Sequence, residues 1–280
     1  MKKNYLFAFV AVAIMTGFTA CSNHVEDALI PENEIRLTSE ITSSRVTALD
    51  YHSTQIAQGQ QVGVTIAGAQ GEHKNVAWSV GQGGTLTNTG NPVYWGEGQV
   101  SITAYHPYHA IWTGTSHEFA VNTDQSTDSG YANSDLLWVT TPASVTDDAV
   151  RLNFAHLLAK INITLSSDDI KDLSGTTISI CGTKIKTTFD PTTGVVSEAS
   201  DIQEIKASVT TSEACTASAI IVPQTVAKGT KFIKLTRGNK IYYYSLPGEM
   251  QYLSGRSYGY SIKLEDSNME SPIEGEETEW

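Results

Sequence analysis

The chain has 280 residues, of which 40% are hydrophobic and 17% are charged. This composition is typical of a folded protein, and the length suffices for two domains of about 100 to 150 residues each. Eighteen basic residues stand against thirty acidic residues, which gives a formal net charge of −12. Such an excess of acid argues against a nucleic-acid partner and against a polybasic patch that binds membrane surfaces.

The N-terminus has the pattern of an export signal. Two lysines precede an apolar segment, residues 5–20, which ends in small side chains. Polar residues follow too soon for a membrane-spanning helix, so we expect residues 1–20 to be a signal peptide. The sequence Phe18-Thr19-Ala20-Cys21 resembles a bacterial lipobox, in which the signal is cut before the cysteine and the thiol receives a lipid. Lipidation at Cys21 is therefore predicted, with ordinary secretion as the alternative.

Two further cysteines, Cys181 and Cys215, lie in the second half of the chain. An oxidising compartment would allow them to pair, but both lie in strand-like segments where buried free thiols are equally common. Neither belongs to a CxxC motif, which argues against metal binding or redox chemistry.

Hydrophobic residues recur with a period of two along nearly the whole chain, which predicts half-buried strands. Glycine, asparagine and proline turns separate these strands, and Gly238-Asn239 is the clearest hairpin signal. We expect an all-β protein of two antiparallel sandwiches, residues 46–149 and 150–264, joined near a polar stretch that contains Pro142. The last segment, residues 265–280, has seven acids and no base, and we expect this acidic C-terminal tail to be disordered.

Motifs for catalysis and cofactor binding are missing from the sequence. It has no GxSxG, HExxH, phosphate-binding glycine loop or CxxC. His106 and His109, followed by His117 and Glu118, are a weak candidate metal set, and surface or packing roles are the better interpretation. Asp124, Ser126 and Asp128 resemble a calcium loop only distantly, and a polar turn explains them better. His156 lies in an apolar run and is interpreted as a hydrogen-bonded core residue. We therefore predict no enzyme, no metal and no cofactor.

Aromatic residues suggest one other kind of site, a platform for sugar rings. Trp78 and Trp95 alternate with apolar residues and are better explained as core. Only the segment from Tyr105 to Trp112 has the composition of an exposed loop.

Several blocks in order resemble one known family, the fimbrillin lipoproteins, or type V pilins, of outer-membrane bacteria. The blocks are the lipobox, Tyr94-Trp95, residues 100–108, 119–126, 134–137, 150–161 (VRLNFAHLLAKI, the most distinctive), 221–225 and 254–262. The resemblance implies two transthyretin-like sandwiches, delivered to the outer membrane through the lipid on Cys21 and assembled with other fimbrial subunits by donor-strand exchange.

The resemblance also implies a processing step. In the family a trypsin-like protease removes an N-terminal strand after an arginine, and a strand from another subunit fills the groove. Here Ile35, Leu37 and Ile41 would form the removable strand of a lipidated segment, residues 21–45, and cleavage would fall between Arg45 and Val46. Arg36 is the alternative cleavage site, but strand pairing would shield it.

In polymerising members of the family, a C-terminal strand is the expected donor. Residues 265–280 of this chain alternate poorly and contain Pro272, which does not fit a donor strand. The expected function is thus a fimbrial subunit that supports adhesion, in a stalk, tip or accessory position. A surface lipoprotein that binds a glycan or host ligand without polymerising is the alternative.

Overall fold

The computed structural model describes residues 33–42, 55–110, 116–168, 170, 172–211, 215–265 and 273–280, with side chains in the last range from residue 277 onward. Within these ranges the structure has twenty strands, one short helix and one 3-10 turn, so the all-β prediction is confirmed. The tandem transthyretin-like arrangement stays a prediction. None of the helices among the described residues is long and apolar enough to span a bilayer.

In chain order the elements are β1 (Leu37–Ile41), β2 (Gln61–Ala67), β3 (His73–Val80), the 3-10 turn (Gln82–Gly84), β4 (Thr85–Asn88), β5 (Val100–His106), β6 (His117–Ala120), α1 (Asp128–Ala132), β7 (Leu137–Ala143), β8 (Val150–His156), β9 (Ala159–Ser166), β10 (Thr176–Asp190), β11 (Val195–Val196), β12 (Ser200–Lys206), β13 (Ser208–Thr210), β14 (Cys215–Ile221), β15 (Gln224–Val226), β16 (Lys231–Arg237), β17 (Lys240–Ser245), β18 (Met250–Tyr252), β19 (Arg256–Lys263) and β20 (Ile273–Glu279).

The N-terminal strands form a closed barrel in the order β1-β4-β3-β2-β5-β7-β8. Neighbours pair antiparallel except at the closure, where β1 runs parallel to β8. Alternate side chains enter the barrel because the strand period is two, so Val62, Val64 and Ile66 of β2 are buried, as are Ile102 and Ala104 of β5. Closure leaves the barrel without a free edge.

The C-terminal strands form two larger sheets and one strand pair. One sheet has the order β11-β10-β16-β17 with β12 and β6 also paired to β10, and the other has the order β13-β14-β9-β19-β20. Strands β15 and β18 form the pair. The predicted turn at Gly238-Asn239 joins β16 to β17.

Two hydrophobic cores divide the described residues. Along the chain, the last members of the barrel core are Leu152 and Phe154 of β8. The next buried hydrophobic residue, Leu158, lies two residues after β8 and belongs to the second core. The chain therefore passes from the barrel core to the second core at the β8–β9 connection. Strand β6 pairs with β10, and Phe119 joins the second core, so part of the chain before residue 149 packs with the later strands. Both cores belong to one compact unit, Asn33–Trp280.

The expectation that residues 265–280 are disordered is wrong for their second half. Strand β20 pairs antiparallel with β19, with Glu279 opposite Arg256. Two of the seven acids that argued for disorder have a cationic partner there, since the Arg256 guanidinium lies 3.4 Å from a Glu277 carboxylate oxygen and 4.0 Å from one of Glu279. Trp280 then donates its backbone N–H to the carbonyl of Gly255 at 2.9 Å.

Candidate functional site

Strand β1 closes the barrel by pairing on both of its sides. It lies parallel to β8 over its whole length, from Leu37 opposite Val150 to Ile41 opposite Phe154. On its other side it is antiparallel to β4, with Leu37 opposite Leu86. The space that β1 fills between β4 and β8 is called the β1 slot below.

The predicted apolar residues of this strand face the barrel core. Ile35 and Leu37 are each only 1% exposed, and Ile41 is partly buried against the same core. Full burial of one such side chain contributes about 1.5 to 3 kcal/mol, so the three together hold β1 with several kcal/mol. Without the strand, Leu152 and Phe154 of the neighbouring β8 would lose part of their cover.

A polar contact inside the slot was missed by the sequence reasoning. Ser39 is 1% exposed, and its hydroxyl donates to the carbonyl of Gly84 at 3.1 Å. Gly84 has a φ of +77°, and a Cβ at this position would lie 2.4 Å from the Ser39 carbonyl oxygen. A side chain at residue 84 would therefore collide with β1. The period of two was the available signal, because Ser39 lies between Leu37 and Ile41 on the inward face.

Hydrogen bonds just outside β1 extend its pairing at both ends. Val150 donates its backbone N–H to the carbonyl of Arg36 at 2.8 Å, and Thr42 donates to the carbonyl of Phe154 at 2.8 Å. The side chain of Arg36 is exposed, but its peptide group is part of the sheet. A protease needs an extended, unpaired substrate segment, so this pairing disfavours cleavage at Arg36. Cys21, Arg45 and Val46 lie outside the described residues.

A cleft of about 410 Å³ adjoins the C-terminal end of β1. Ile41, Ile56 and Leu137 supply apolar lining, while His106 and Asp135 supply polar groups. Because Ile41 forms part of the wall, departure of β1 would open the cleft further into the slot.

His106, the first member of the weak metal set, is a core residue. It is 2% exposed, and its Nδ1 lies 3.0 Å from the carbonyl oxygen of Gln61. Burial lowers the pKa of His106 below its ordinary value, although the hydrogen bond to Gln61 and the charge of Asp135 act in the opposite direction. Burial therefore favours the neutral ring over the charged ring in the folded protein.

This neutral histidine predicts a pH dependence of folding. A buried His with a lowered pKa resists protonation that the unfolded chain accepts near pH 6.5, so unfolding becomes easier as the pH falls through that value. For one proton, the contribution of His106 to the free energy of unfolding changes by at most about 1.4 kcal/mol per pH unit. Urea denaturation of the wild type and of His106→Gln between pH 8 and 5.5 measures it. The free energy of unfolding should fall less steeply with decreasing pH in the variant than in the wild type. Equal slopes would contradict a lowered pKa of His106 in the folded protein.

Among the residues that the structure describes, the other histidines and carboxylates do not converge on a metal site. The rings of His109 and His117 stack with centroids 5.5 Å apart, and burial is the main cause that lowers the pKa of His117. Within the described part of the chain, no group of three or more His, Cys, Asp or Glu side chains could hold an ion. Asp124 accepts the backbone N–H of Ser126 at 3.0 Å, which confirms the polar turn.

His156 is hydrogen-bonded and buried, as predicted. Its Nδ1 donates to the carboxylate of Asp135 at 2.8 Å, and the residue is 8% exposed. A second contact of the His156 ring was not predicted from the sequence. The Trp280 ring stacks on it, with centroids 3.8 Å apart and planes 11° apart. Lys160, 1% exposed, places its Nζ 5.7 Å from the centre of the same Trp280 ring. The end of β20 is thus anchored where the chain passes from the barrel to the second core.

The tryptophans expected in the core are there, with Trp78 3% and Trp95 1% exposed. Tyr105, the first residue of the suggested sugar platform, is also buried, and its hydroxyl donates to Asn75 Oδ1 at 2.8 Å. Burial raises the pKa of Tyr105 to about 12. Tyr105 therefore offers no open ring face, and Trp112 lies outside the described residues.

The two later cysteines are free thiols in the structure. Burial raises the pKa of the Cys181 thiol to about 11, helped by the charge of Glu204, and burial also raises the pKa of Cys215. Both thiols are therefore poor nucleophiles at neutral pH.

Solved structures resemble this fold over most of its length. A proposed cell adhesion protein from Bacteroides ovatus matches with a TM-score of 0.71 and 19% identity, covering 88% of this chain and 97% of that one. A second such protein, from Bacteroides uniformis, matches with a TM-score of 0.65 and 19% identity over 88% and 98% of the two chains. The tip fimbrial protein Mfa3 from Porphyromonas gingivalis, with a C-terminal truncation, matches with a TM-score of 0.54 and 11% identity. The match covers 89% of this chain and 99% of that one. At these identities the likeness concerns the fold.

A search among curated proteins found no similar sequence. The family comparison is positive: the fimbrillin-like family matches residues 44–280. That range starts just after β1 and covers most of the chain, including the β2–β8 part of the barrel and every later strand. The chain therefore belongs to the fimbrillin-like family.

Proposed function

We propose that this protein is a structural subunit of surface fimbriae that supports adhesion, and that it has no enzymatic activity. The observation that carries the proposal is the position of β1, a single short strand that closes the barrel from the N-terminal end of the described chain. The family supports the same role.

Assembly proceeds by strand replacement in this proposal. A trypsin-like protease cuts between Arg45 and Val46, and β1 leaves with the segment before the cut. The open slot then exposes the unpaired backbone of β4 and β8 together with apolar side chains such as Phe154, which is a strong drive for strand addition. A strand from another fimbrial subunit fills the slot and repeats the pairing of Leu37 and Ile41.

Delivery to the surface precedes this step. The signal peptide directs export, and lipid on Cys21 holds the uncut subunit in the outer membrane. Diacylglycerol chains anchor a protein because each buried CH₂ contributes about 0.8 kcal/mol. Cleavage at Arg45 separates the subunit from its anchor at the same time as it opens the slot.

The state of β20 favours a tip or accessory position over a stalk position. A stalk subunit must both accept and donate a strand, whereas here β20 is paired with β19 and Trp280 is stacked on His156. A subunit that accepts a strand and keeps its own C-terminal strand ends a fibre.

The proposal is tested in cells that produce the protein, with Arg45→Gln and the matched variant Arg36→Gln. Fimbriae sheared from wild-type and Arg36→Gln cells should contain the subunit in assemblies that resist unheated detergent gels and collapse on heating. Arg45→Gln should leave it monomeric and in the membrane. If all three proteins stay monomeric in the membrane, a non-polymerising surface lipoprotein that binds a glycan or host ligand is the better account. Equal assembly of Arg45→Gln would refute cleavage at that site.

A further inference from the structure

Two positions on the inward face of β1 have different surroundings. Ser39 is 1% exposed and lies opposite Leu152 of β8, which is fully buried. Ile41, two residues further along, is only partly buried and borders the cleft of about 410 Å³. A strand in the β1 slot therefore has little free space around the position of Ser39, and open space beside the position of Ile41.

The turn before β4 closes the other side of the Ser39 position. Within the described ranges, β1 pairs with β4 at Leu37 and Thr38, and beyond that point the 3-10 turn Gln82–Gly84 lies beside it. Gly84 approaches so closely that a Cβ on it would lie 3.3 Å from the Ser39 hydroxyl oxygen. The Gly84 carbonyl accepts that hydroxyl at 3.1 Å. This carbonyl belongs to the barrel and not to β1, so any strand that replaces β1 meets the same acceptor.

A serine fits this position in size and in chemistry. Without a hydroxyl at residue 39, the buried Gly84 carbonyl loses the donor that Ser39 provides, and an unsatisfied buried acceptor is unfavourable. A larger side chain would press on Leu152, because well-packed cores do not accept added volume without strain. A charged side chain would be buried there without a counter-ion in the present contacts of Ser39, which is more unfavourable still.

We propose that the β1 slot selects its incoming strand mainly by the residue that takes the place of Ser39, which must be a small side chain with a hydroxyl donor. This selection rests on the proposed replacement of β1 by a strand from another subunit. The inward face of that strand has an apolar residue at the position of Leu37 and one of less restricted size at that of Ile41. The ion pair of Glu40 with Arg151, at 3.2 Å, adds little selection because both side chains are solvated.

The test uses the full chain with a specific protease site inserted between Arg45 and Val46, cut after purification so that β1 stays in its slot without a covalent link. A fluorescent label on the cut N-terminal segment reports its release when a peptide of residues 33–44 competes for the slot. The native peptide should displace the segment. The Ser39→Ala peptide should need at least about a fivefold higher concentration, since Gly84 loses its donor. The Ser39→Leu peptide should need at least about a tenfold higher concentration, since the added volume strains the packing.

The matched control is Ile41→Phe in the same peptide, which also adds volume to the inward face but does so next to the cleft. This peptide and Glu40→Gln, which removes only the exposed ion pair, should each compete within about threefold of the native peptide. If the native, Ser39→Ala and Ser39→Leu peptides displace β1 equally well, the slot exchanges strands without this selection, and the proposal is refuted while the proposed function stands. Failure of Ile41→Phe to the same degree as Ser39→Leu would also refute it, because added volume would then be rejected along the whole face. If the native peptide does not displace the segment, strand replacement fails and the proposed function fails with it.

Discussion

A chain that begins at Val46 is expected to lose most of the stability of its barrel. It lacks Ile35, Leu37 and Ile41, whose burial together contributes several kcal/mol, and it leaves β4 and β8 without a partner strand. We expect a loss of at least about 5 kcal/mol in the free energy of unfolding, which is as large as the total stability of many domains. Urea denaturation and dye binding to exposed apolar surface should show an unfolded or aggregating barrel.

A synthetic peptide of residues 33–44 should reverse this loss in trans. At a peptide concentration 100 times its dissociation constant, binding to the folded form restores about 2.7 kcal/mol. The matched peptide carries Leu37→Asp, which places a charge where the native side chain is 1% exposed, and it should fail. A truncated chain that is as stable as the full chain, or equal rescue by both peptides, would contradict the role of the β1 slot.

A second large effect is expected at Gln125, which is completely buried. Its Oε1 accepts the backbone N–H of Ile220 at 2.7 Å, and its Nε2 donates to the carbonyl of the same residue at 2.8 Å. Ile220 lies in β14 beyond the stretch that β13 covers, so the Gln125 amide replaces a missing strand. Gln125→Ala leaves both backbone groups buried without their partner, at a cost of about 3 kcal/mol.

Urea denaturation measures this cost, and Gln99→Ala is the matched control. Gln99 is exposed, so its truncation should change the free energy of unfolding by less than about 0.5 kcal/mol. A loss below about 1 kcal/mol for Gln125→Ala would mean that water or a shifted side chain satisfies Ile220.

Features of the fold that depend on local spacing could be predicted from the sequence. Alternation placed Ile35 and Leu37 on the inward face of a strand, and Gly238-Asn239 marked the hairpin, because both signals lie within a few residues. The family resemblance then supplied a role for the strand that its spacing alone does not contain.

Features that depend on distant partners were beyond that reasoning. Parallel pairing of β1 with β8 joins residues more than 100 positions apart, and no local pattern encodes it. Ser39 is buried because Gly84 offers a carbonyl, and β20 forms because Arg256 and His156 receive its end. Composition alone predicted disorder for the acidic tail, since it counts charges without knowing what lies opposite them.

The most direct test of the account is the intact mass and N-terminal sequence of the protein sheared from cells, beside the same protein extracted from membranes. We expect the sheared form to begin at Val46 and the membrane form to begin at an acylated Cys21. A sheared form that still contains Ile35, Leu37 and Ile41 would contradict it, because β1 would then remain in its slot within the fibre.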